Sequence, residues 1–259
     1  MGFKTEEIFK KLRVFNYTVG TKTIDLIVLE DGQAKRVPLA EFTLDHLPQR
    51  STVNKYGPLE KEVLRINDET YTCEILLQLY LKPLLKVQQL FSNLLKDTPQ
   101  EEKASYENIT AVPFAFASAD AYNTIKPAIQ KEKDGDAKID VVGHFDDYGI
   151  VVSLCEEPKY IRSTVAHEHG HYMHQNLCPE KYLKCTPTMK EFIAIFVQEM
   201  CGYNKSYVEN TMHHRAKQLL CELQKTEHYR QIPVSEQWKL INNFRKHRNL
   251  RRYIEICFK

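Results

Sequence analysis

Apolar residues at helical spacing dominate the middle of the chain. Between Pro58 and about Lys96 they recur every three or four residues, the period of one face of an α-helix. Pro83 falls inside this pattern, where a proline kinks or breaks a helix. The pattern predicts helices with a packed, leucine-rich face, and an oligomer interface is the alternative use of that face. Its members are Leu59, Val63, Leu64, Ile75, Leu76, Leu79, Leu84, Val87, Leu90, Phe91 and Leu94.

Alternating apolar positions predict two β-hairpins. The first spans residues 17–39 and turns at Asp31-Gly32, a common two-residue turn. The second spans residues 139–155 and turns at 146–149. This hairpin directly precedes the helix that carries the chemistry described below. A free strand edge there would pair with an extended peptide, and an ordinary core hairpin is the equal alternative.

Further helices are predicted on either side of these elements. One runs from 119 to about 133, and others cover 216–222 and begin at Val234. The late stretch 245–252 is basic, a pattern that also occurs where proteins touch nucleic acid. The apolar positions that follow each other at helical spacing here, such as Leu250 and Ile254, favour a packed helix with a solvated basic face instead.

The order of these elements predicts an α+β fold that is mostly helical and has a small β-sheet. We expect a β-rich N-terminal extension over residues 1–57 and a main domain over residues 58–259. The extension is interpreted as a structural addition. A substrate-binding or regulatory role is the alternative.

Composition indicates a soluble protein with reduced thiols but does not indicate a particular function. The 259 residues contain 36 Lys and Arg against 34 Asp and Glu, so net charge gives no reason to expect a polyanionic partner. Apolar runs stay well below 18 residues, and the first residues form an amphipathic segment unlike a signal peptide. Seven scattered cysteines are typical of reduced thiols, although Cys178 and Cys185 are near enough in sequence to oxidise together. We expect a soluble cytoplasmic protein with no membrane segment.

The strongest chemical signal is the His-Glu-x-x-His motif that begins at His167. On a helix, His167 and His171 leave the same face one turn apart, so both imidazoles can bind one metal ion. Neutral imidazole nitrogen suits zinc. Glu168 lies beside such an ion, where it can take a proton from water as a general base. A chance pattern on a solvated helix face is disfavoured, because the apolar residues 149–155 before the motif indicate that this helix packs into a core.

A third ligand is expected from the following helix. A catalytic zinc takes three protein ligands and keeps one position open. Glu191 lies 20 residues after His171 and Glu199 lies 28 after it, and about 12 Å of helix separates the two carboxylates. Glu191 is favoured because it sits in the first turn, where the helix dipole stabilises an ionised carboxylate. The alternative role of Glu191 is a capping box with Thr188. The alternative for Glu199 is a carboxylate at the far edge of a buried helix that reaches solvent or a basic partner.

The motif also resembles known zinc peptidases. The run His167-Glu-His-Gly-His171-Tyr-Met-His174 is similar to the His-Glu-x-Gly-His-x-x-His core of the thimet oligopeptidase and oligoendopeptidase F family. The spacing to Glu191 is similar to that of thermolysin-like gluzincins. The resemblance implies a zincin-like catalytic domain in which His167, His171 and Glu191 bind one zinc ion and Glu168 is the general base. The implied substrate is a peptide or protein.

Two roles stay open on the sequence alone. Peptide hydrolysis needs a donor for the developing oxyanion, and the candidates are Tyr203, Tyr207, His228 and Tyr229. The competing hypothesis is a non-catalytic zincin-fold binding protein whose zinc is structural.

The remaining histidines receive lesser roles. His174 is a candidate for orienting a ligand or lining the cleft, and His169 points away from the ligand face. His213 and His214 are expected on a solvated helix surface.

Overall fold

The computed structural model describes residues 21–22, 25–30, 33–38, 42–43, 63–66, 69–95, 113–125, 142–207, 209 and 211–257. The strands are β1 Thr21–Lys22, β2 Asp25–Glu30, β3 Gln33–Pro38, β4 Phe42–Thr43, β5 Val63–Ile66, β6 Glu69–Thr72, β7 Phe114–Ala117, β8 Gly143–Asp146 and β9 Gly149–Ser153. The helices are α1 Cys73–Leu94, α2 Pro158–Leu177, α3 Pro179–Lys184, α4 Pro187–Met200, α5 Met212–Lys225, α6 Glu227–Gln231, α7 Val234–Asn242 and α8 His247–Cys257. Residues 119–125 are also helical. The predicted mixed fold, mostly helical with a small sheet, is confirmed at this level.

The chain divides into two compact units. The first takes residues 1–85 and 111–165, and the second takes residues 86–110 and 166–259. The predicted boundary between residues 57 and 58 lies outside the described residues and stays a prediction. Strands β2 and β3, which belong to the predicted N-terminal extension, are part of one sheet with β7, β8 and β9.

The first unit is built on this five-stranded sheet, in the order β3-β2-β7-β9-β8. The three inner strands are parallel, with Ile27 opposite Ala115 and Ala115 opposite Val151, and the outer strands β3 and β8 run antiparallel to their neighbours. Strands β7 and β9 are buried along their whole length. Parallel strands covered on both faces read as continuous apolar runs, which explains the sequences Phe-Ala-Phe-Ala and Gly-Ile-Val-Val-Ser.

Both predicted hairpins are present in the sheet. Strands β2 and β3 pair with Glu30 opposite Gln33, and the predicted turn between them lies outside the described residues. Strand β8 pairs with β9 across a turn at 147 and 148. The amide groups of Tyr148 and Gly149 donate to the Asp146 carboxylate and hold that turn. Peptide pairing at the edge strand β8 stays a prediction.

The predicted helical segment from Pro58 begins later than expected. Val63–Ile66 and Glu69–Thr72 pair as antiparallel strands, and helix begins only at Cys73. The β-branched residues Val63, Ile66 and Thr72 prefer strands, and their short alternation was hidden by the stronger helical pattern that follows. Helix α1 then continues through Pro83, so of the predicted kink or break the break does not occur, and the kink stays a prediction.

Helices of the second unit pack around α4, in which every residue from Ile193 to Val197 is buried. Trp238 of α7 packs edge-on against Phe91 and stacks on Phe196. The predicted helices near 216–222 and from Val234 are confirmed as α5 and α7. Helix α8 buries Leu250 and Ile254 and exposes its arginines, so the packed helix with a basic outer face is also confirmed.

None of the described helices is both long and apolar enough to span a lipid bilayer.

Candidate metal centre

The two motif histidines lie on one buried face of α2. His167 is 5% exposed and His171 is 6% exposed, and their Nε2 atoms are 3.2 Å apart. The ring centroids are separated by 4.8 Å at nearly a right angle. This is the arrangement expected of residues four apart on a helix, and it aims both nitrogens at the same point.

Glu191 of α4 completes the group. Its Oε2 atom lies 3.1 Å from His167 Nε2 and 3.2 Å from His171 Nε2. The carboxylate is 5% exposed. The N-cap of α4 is Thr186, whose side chain makes no cap hydrogen bond, so the alternative capping box of Thr188 with Glu191 is not formed.

The spacing of these three atoms fits a small tetrahedral cation. Two ligand atoms held 2.0–2.1 Å from one tetrahedral zinc ion lie roughly 3.3 Å apart. The three separations of 3.1, 3.2 and 3.2 Å come close to that value. The group His167, His171 and Glu191 could therefore hold a metal ion, and two nitrogens with one carboxylate oxygen are a donor set that zinc accepts.

The expected protonation states of His167 and Glu191 also favour metal binding by this group. Burial lowers the pKa of His167, which keeps the imidazole neutral. Burial alone would raise the pKa of Glu191, but the neighbouring His213 and His171 outweigh it and hold that pKa well below its usual range. A neutral imidazole and an ionised carboxylate are the forms that bind a metal ion.

Glu199, the alternative third ligand, lies outside this group. Its carboxylate pairs with the Lys217 ammonium of α5, and Gln224 Nε2 donates to Glu199 Oε2 at 2.9 Å. Two turns of helix carry it away from Glu191, so its role in the structure is to join α4 to α5. The structure thus places Glu191, not Glu199, with the motif histidines.

A third histidine approaches the same carboxylate. His213 Nε2 lies 3.0 Å from Glu191 Oε2, and its ring centroid is 5.5 Å from that of His167. The Thr211 side chain accepts from the His214 amide and starts α5 immediately before His213. The side chain is 24% exposed, so the expectation of a solvated surface residue is wrong for His213. Only the packing of α5 against α4, which local sequence does not encode, reveals it.

Gln198 links His167 to the segment after α4. Its Oε1 atom lies 3.1 Å from His167 Nδ1 and accepts a hydrogen bond from Tyr207 at 2.7 Å. Its Nε2 atom donates to the Tyr203 carbonyl at 3.3 Å. The Tyr207 ring stacks on His213, with centroids 5.2 Å apart. Sequence reasoning missed Gln198, although it stands seven residues after Glu191 and therefore on the same helix face.

The other candidate residues take different places. Tyr229 is buried in the core and His228 is exposed, and the metal group found among the described residues includes neither. His174 is fully buried and contacts the rings of Tyr182 and Trp238, and neither of its ring nitrogens has a hydrogen-bond partner among the described residues. Burial lowers the pKa of His174 to about 3. It is a neutral core residue, and the expectation that it orients a ligand gains no support.

Gly170 allows the two ligand-bearing helices to come together. A Cβ atom at Gly170 would lie 3.1 Å from Ala194 Cα and 3.2 Å from Val197 Cβ. Contacts this short to backbone exclude any larger residue without movement of α4. The glycine between the two motif histidines therefore suits the close approach of α4, which carries Glu191.

Comparisons with known proteins yield no match for this chain, whether with family models, curated proteins or solved structures.

Proposed function

We propose that the protein is a zinc-dependent peptidase of the gluzincin type. The observation that carries this proposal is the convergence of His167, His171 and Glu191 in a buried group with Glu168 next in sequence to the first histidine. The motif's similarity to the thimet oligopeptidase and oligoendopeptidase F core, and the third-ligand spacing of thermolysin-like enzymes, support the same class. The mixed sheet of the first unit is compatible with a zincin-like core, and the free cysteines among the described residues fit a cytoplasmic protein.

The residues divide the chemistry of hydrolysis among them. His167, His171 and Glu191 would hold the zinc ion, which when bound lowers the pKa of water and polarises the scissile carbonyl. Glu168, which is 5% exposed, accepts the proton of the attacking water and delivers it to the leaving amine. The low exposure of Glu168 keeps competing solvent away from that transfer.

His213 is the best placed donor for the oxyanion that develops on the substrate. Its Nε2 atom faces the ligand group and lies within hydrogen-bonding distance of Glu191, while part of its ring reaches the surface. Tyr207, which the sequence suggested, directs its hydroxyl to Gln198 Oε1, whereas His213 directs Nε2 to the ligand group itself. We therefore assign the electrophilic role to His213, with Tyr207 supporting its ring from behind by stacking.

One observation favours a second candidate function. The same short distance from His213 to Glu191 would suit a fourth protein ligand, which would close the metal site and make it structural. The protein would then be a non-catalytic zincin-fold binding protein. Glu168 argues for the enzyme, because a closed structural site has no use for a general base.

Replacing Glu168 by Gln is the test of the proposed function. The amide cannot accept a proton, so we expect zinc content equal to that of the wild type and turnover of a mixed peptide library lower by about 10²- to 10⁴-fold. Zinc is measured by atomic emission and cleavage by mass spectrometry. Glu180→Gln, a change at an exposed carboxylate of α3, is the matched control and should retain activity. Equal cleavage by the two variants would rule out Glu168 as the base, and no cleavage by wild type would favour the structural alternative.

Replacing His213 by Gln separates the two roles of this histidine. If it donates to the oxyanion, kcat falls by about 10²- to 10³-fold while zinc content is unchanged. The neighbouring His214→Gln is the control, because that side chain is outside the metal group. The backbone amide at position 214 still donates to Thr211, the N-cap of α5. Loss of zinc from His213→Gln would instead identify a fourth ligand and contradict the catalytic assignment.

A further inference from the structure

The orientation of the Gln198 side-chain amide is fixed by its neighbours. The Tyr203 carbonyl can only accept a hydrogen bond, so the atom 3.3 Å from it must be the amide nitrogen. The amide oxygen therefore faces Tyr207 and His167. Gln198 is 1% exposed, which leaves no room for solvent to offer a competing partner.

This orientation determines which nitrogen of His167 carries the proton. An amide oxygen only accepts, so at 3.1 Å it requires a proton on His167 Nδ1. A histidine that binds a metal through Nε2 is a neutral ring whose single proton is on Nδ1. Nε2 then presents a bare lone pair to Glu191 Oε2, 3.1 Å away, so two acceptors face each other. A cation between them satisfies both.

We propose that Gln198 is a positioning residue of the metal centre, which fixes His167 in its Nδ1-protonated form and holds its Nε2 lone pair toward the site. The proposal rests on the metal centre of the proposed function and not on peptide cleavage. Histidine ligands commonly donate their second nitrogen to an oxygen, and loss of such a partner lowers metal affinity by about 10- to 100-fold. Here α4 supplies both the carboxylate ligand, Glu191, and the residue that orients the other helix's ligand.

Tyr207 extends this support toward the surface. Its hydroxyl donates to Gln198 Oε1 at 2.7 Å, and its ring stacks on His213. One amide oxygen therefore accepts from both His167 and Tyr207, and the hydroxyl keeps the amide from rotating. Removing the hydroxyl alone leaves the bond to His167 in place, so Tyr207→Phe should weaken metal binding less than a change at Gln198.

The amide also supplies an acceptor without adding charge. A carboxylate at this position would be a second buried acidic group on α4 beside Glu191. Gln198→Glu keeps the acceptor oxygens and should retain most of the metal affinity, whereas Gln198→Leu keeps the size and loses every hydrogen bond. Comparing these two variants separates the effect of the hydrogen bonds to His167 and Tyr207 from the effect of side-chain packing.

The experiment measures zinc affinity by competition with a chromophoric chelator. We expect Gln198→Leu to bind zinc about 10- to 100-fold more weakly than wild type, and Gln198→Glu to stay within about 10-fold of wild type. Gln224→Leu is the matched control, because it removes a part-buried glutamine that bonds Glu199 outside the metal group. Unchanged affinity in Gln198→Leu would overturn the proposal.

A second measurement needs no variant that alters Gln198. In the zinc-loaded wild type at pH 8, ¹⁵N chemical shifts of His167, assigned with His167→Gln, should show a proton on Nδ1 and a metal-bound Nε2. Any other proton placement would overturn the proposal, including when Gln198→Leu fails to fold. Neither measurement reads peptide cleavage, so a protein that binds zinc as expected but hydrolyses nothing would contradict the proposed function and leave this inference intact.

Discussion

Glu191→Gln is expected to lose its zinc and, with it, all cleavage above background. The carboxylate contributes the one anionic ligand atom of the group, 3.1 and 3.2 Å from the two histidine nitrogens. A neutral amide oxygen keeps the shape but not the charge. We expect zinc affinity to fall by more than the roughly 100-fold that loss of an outer partner costs. Metal content after dialysis and chelator competition measure the loss.

Glu199→Gln is the matched control for that change. The same substitution on the same helix removes a carboxylate that pairs with Lys217 and accepts from Gln224. We expect a loss of about 1–3 kcal/mol in the free energy of unfolding, since a partly buried charge loses its partner, and wild-type zinc content. If Glu199→Gln lost zinc while Glu191→Gln retained it, the ligand assignment would be wrong.

The convergence of the three candidate ligands was predictable because local periodicity determines it. His167 and His171 need only a helix to share a face, and Glu191 needs only a short return to the start of the next helix. Residues 178 to 186 make that return through the short helix α3. Glu199 was excluded by its pairing with Lys217, which requires knowledge of how α5 packs.

The residues around the ligands could not be read from the sequence for the same reason. His213 reaches Glu191 across 22 residues, and Tyr207 reaches Gln198 through an irregular segment with no periodic pattern. In sequence, the pair His213 and His214 near the start of α5 looks like an ordinary solvent-exposed segment of a helix. Conversely, His174 continues the motif in sequence yet lies in the aromatic core beside Trp238. Spacing along a helix identifies shared faces, but only tertiary packing decides what each face meets.

The sequence predicted those parts of the fold that have local signals and missed those that depend on distant pairing. The hairpins of the first unit were visible because alternation and turn residues are local signals. That β2 would pair in parallel with β7, some 90 residues away, was not, since no local signal selects a parallel partner. The short hairpin of β5 and β6 was overlooked because four-residue strands are outweighed by the longer helical pattern beside them.

Gly170→Ala is expected to damage both the fold and the metal centre. Alanine favours helix over glycine by about 1 kcal/mol, which alone would stabilise α2. The added methyl group would meet Ala194 Cα at 3.1 Å and the Ala194 carbonyl oxygen at 3.3 Å, and backbone atoms of a buried helix cannot yield separately. Overpacking of this kind costs about 1–3 kcal/mol, so the clash outweighs the gain in propensity.

The displacement of α4 should also reach the site. Glu191 stands one turn before Ala194 and Gln198 one turn after it, so movement of this part of α4 withdraws both the carboxylate ligand and the group that orients His167. We expect a lower free energy of unfolding in denaturant titration and zinc affinity reduced at least 10-fold, in line with loss of an outer partner. Asn176→Ala changes an exposed residue of α2, the helix that carries Gly170, and should change neither the free energy of unfolding nor the zinc affinity. If Gly170→Ala were as stable as wild type or more stable, with unchanged zinc affinity, α2 and α4 could accommodate a methyl group between them. Their close approach would then not determine the geometry of the metal centre.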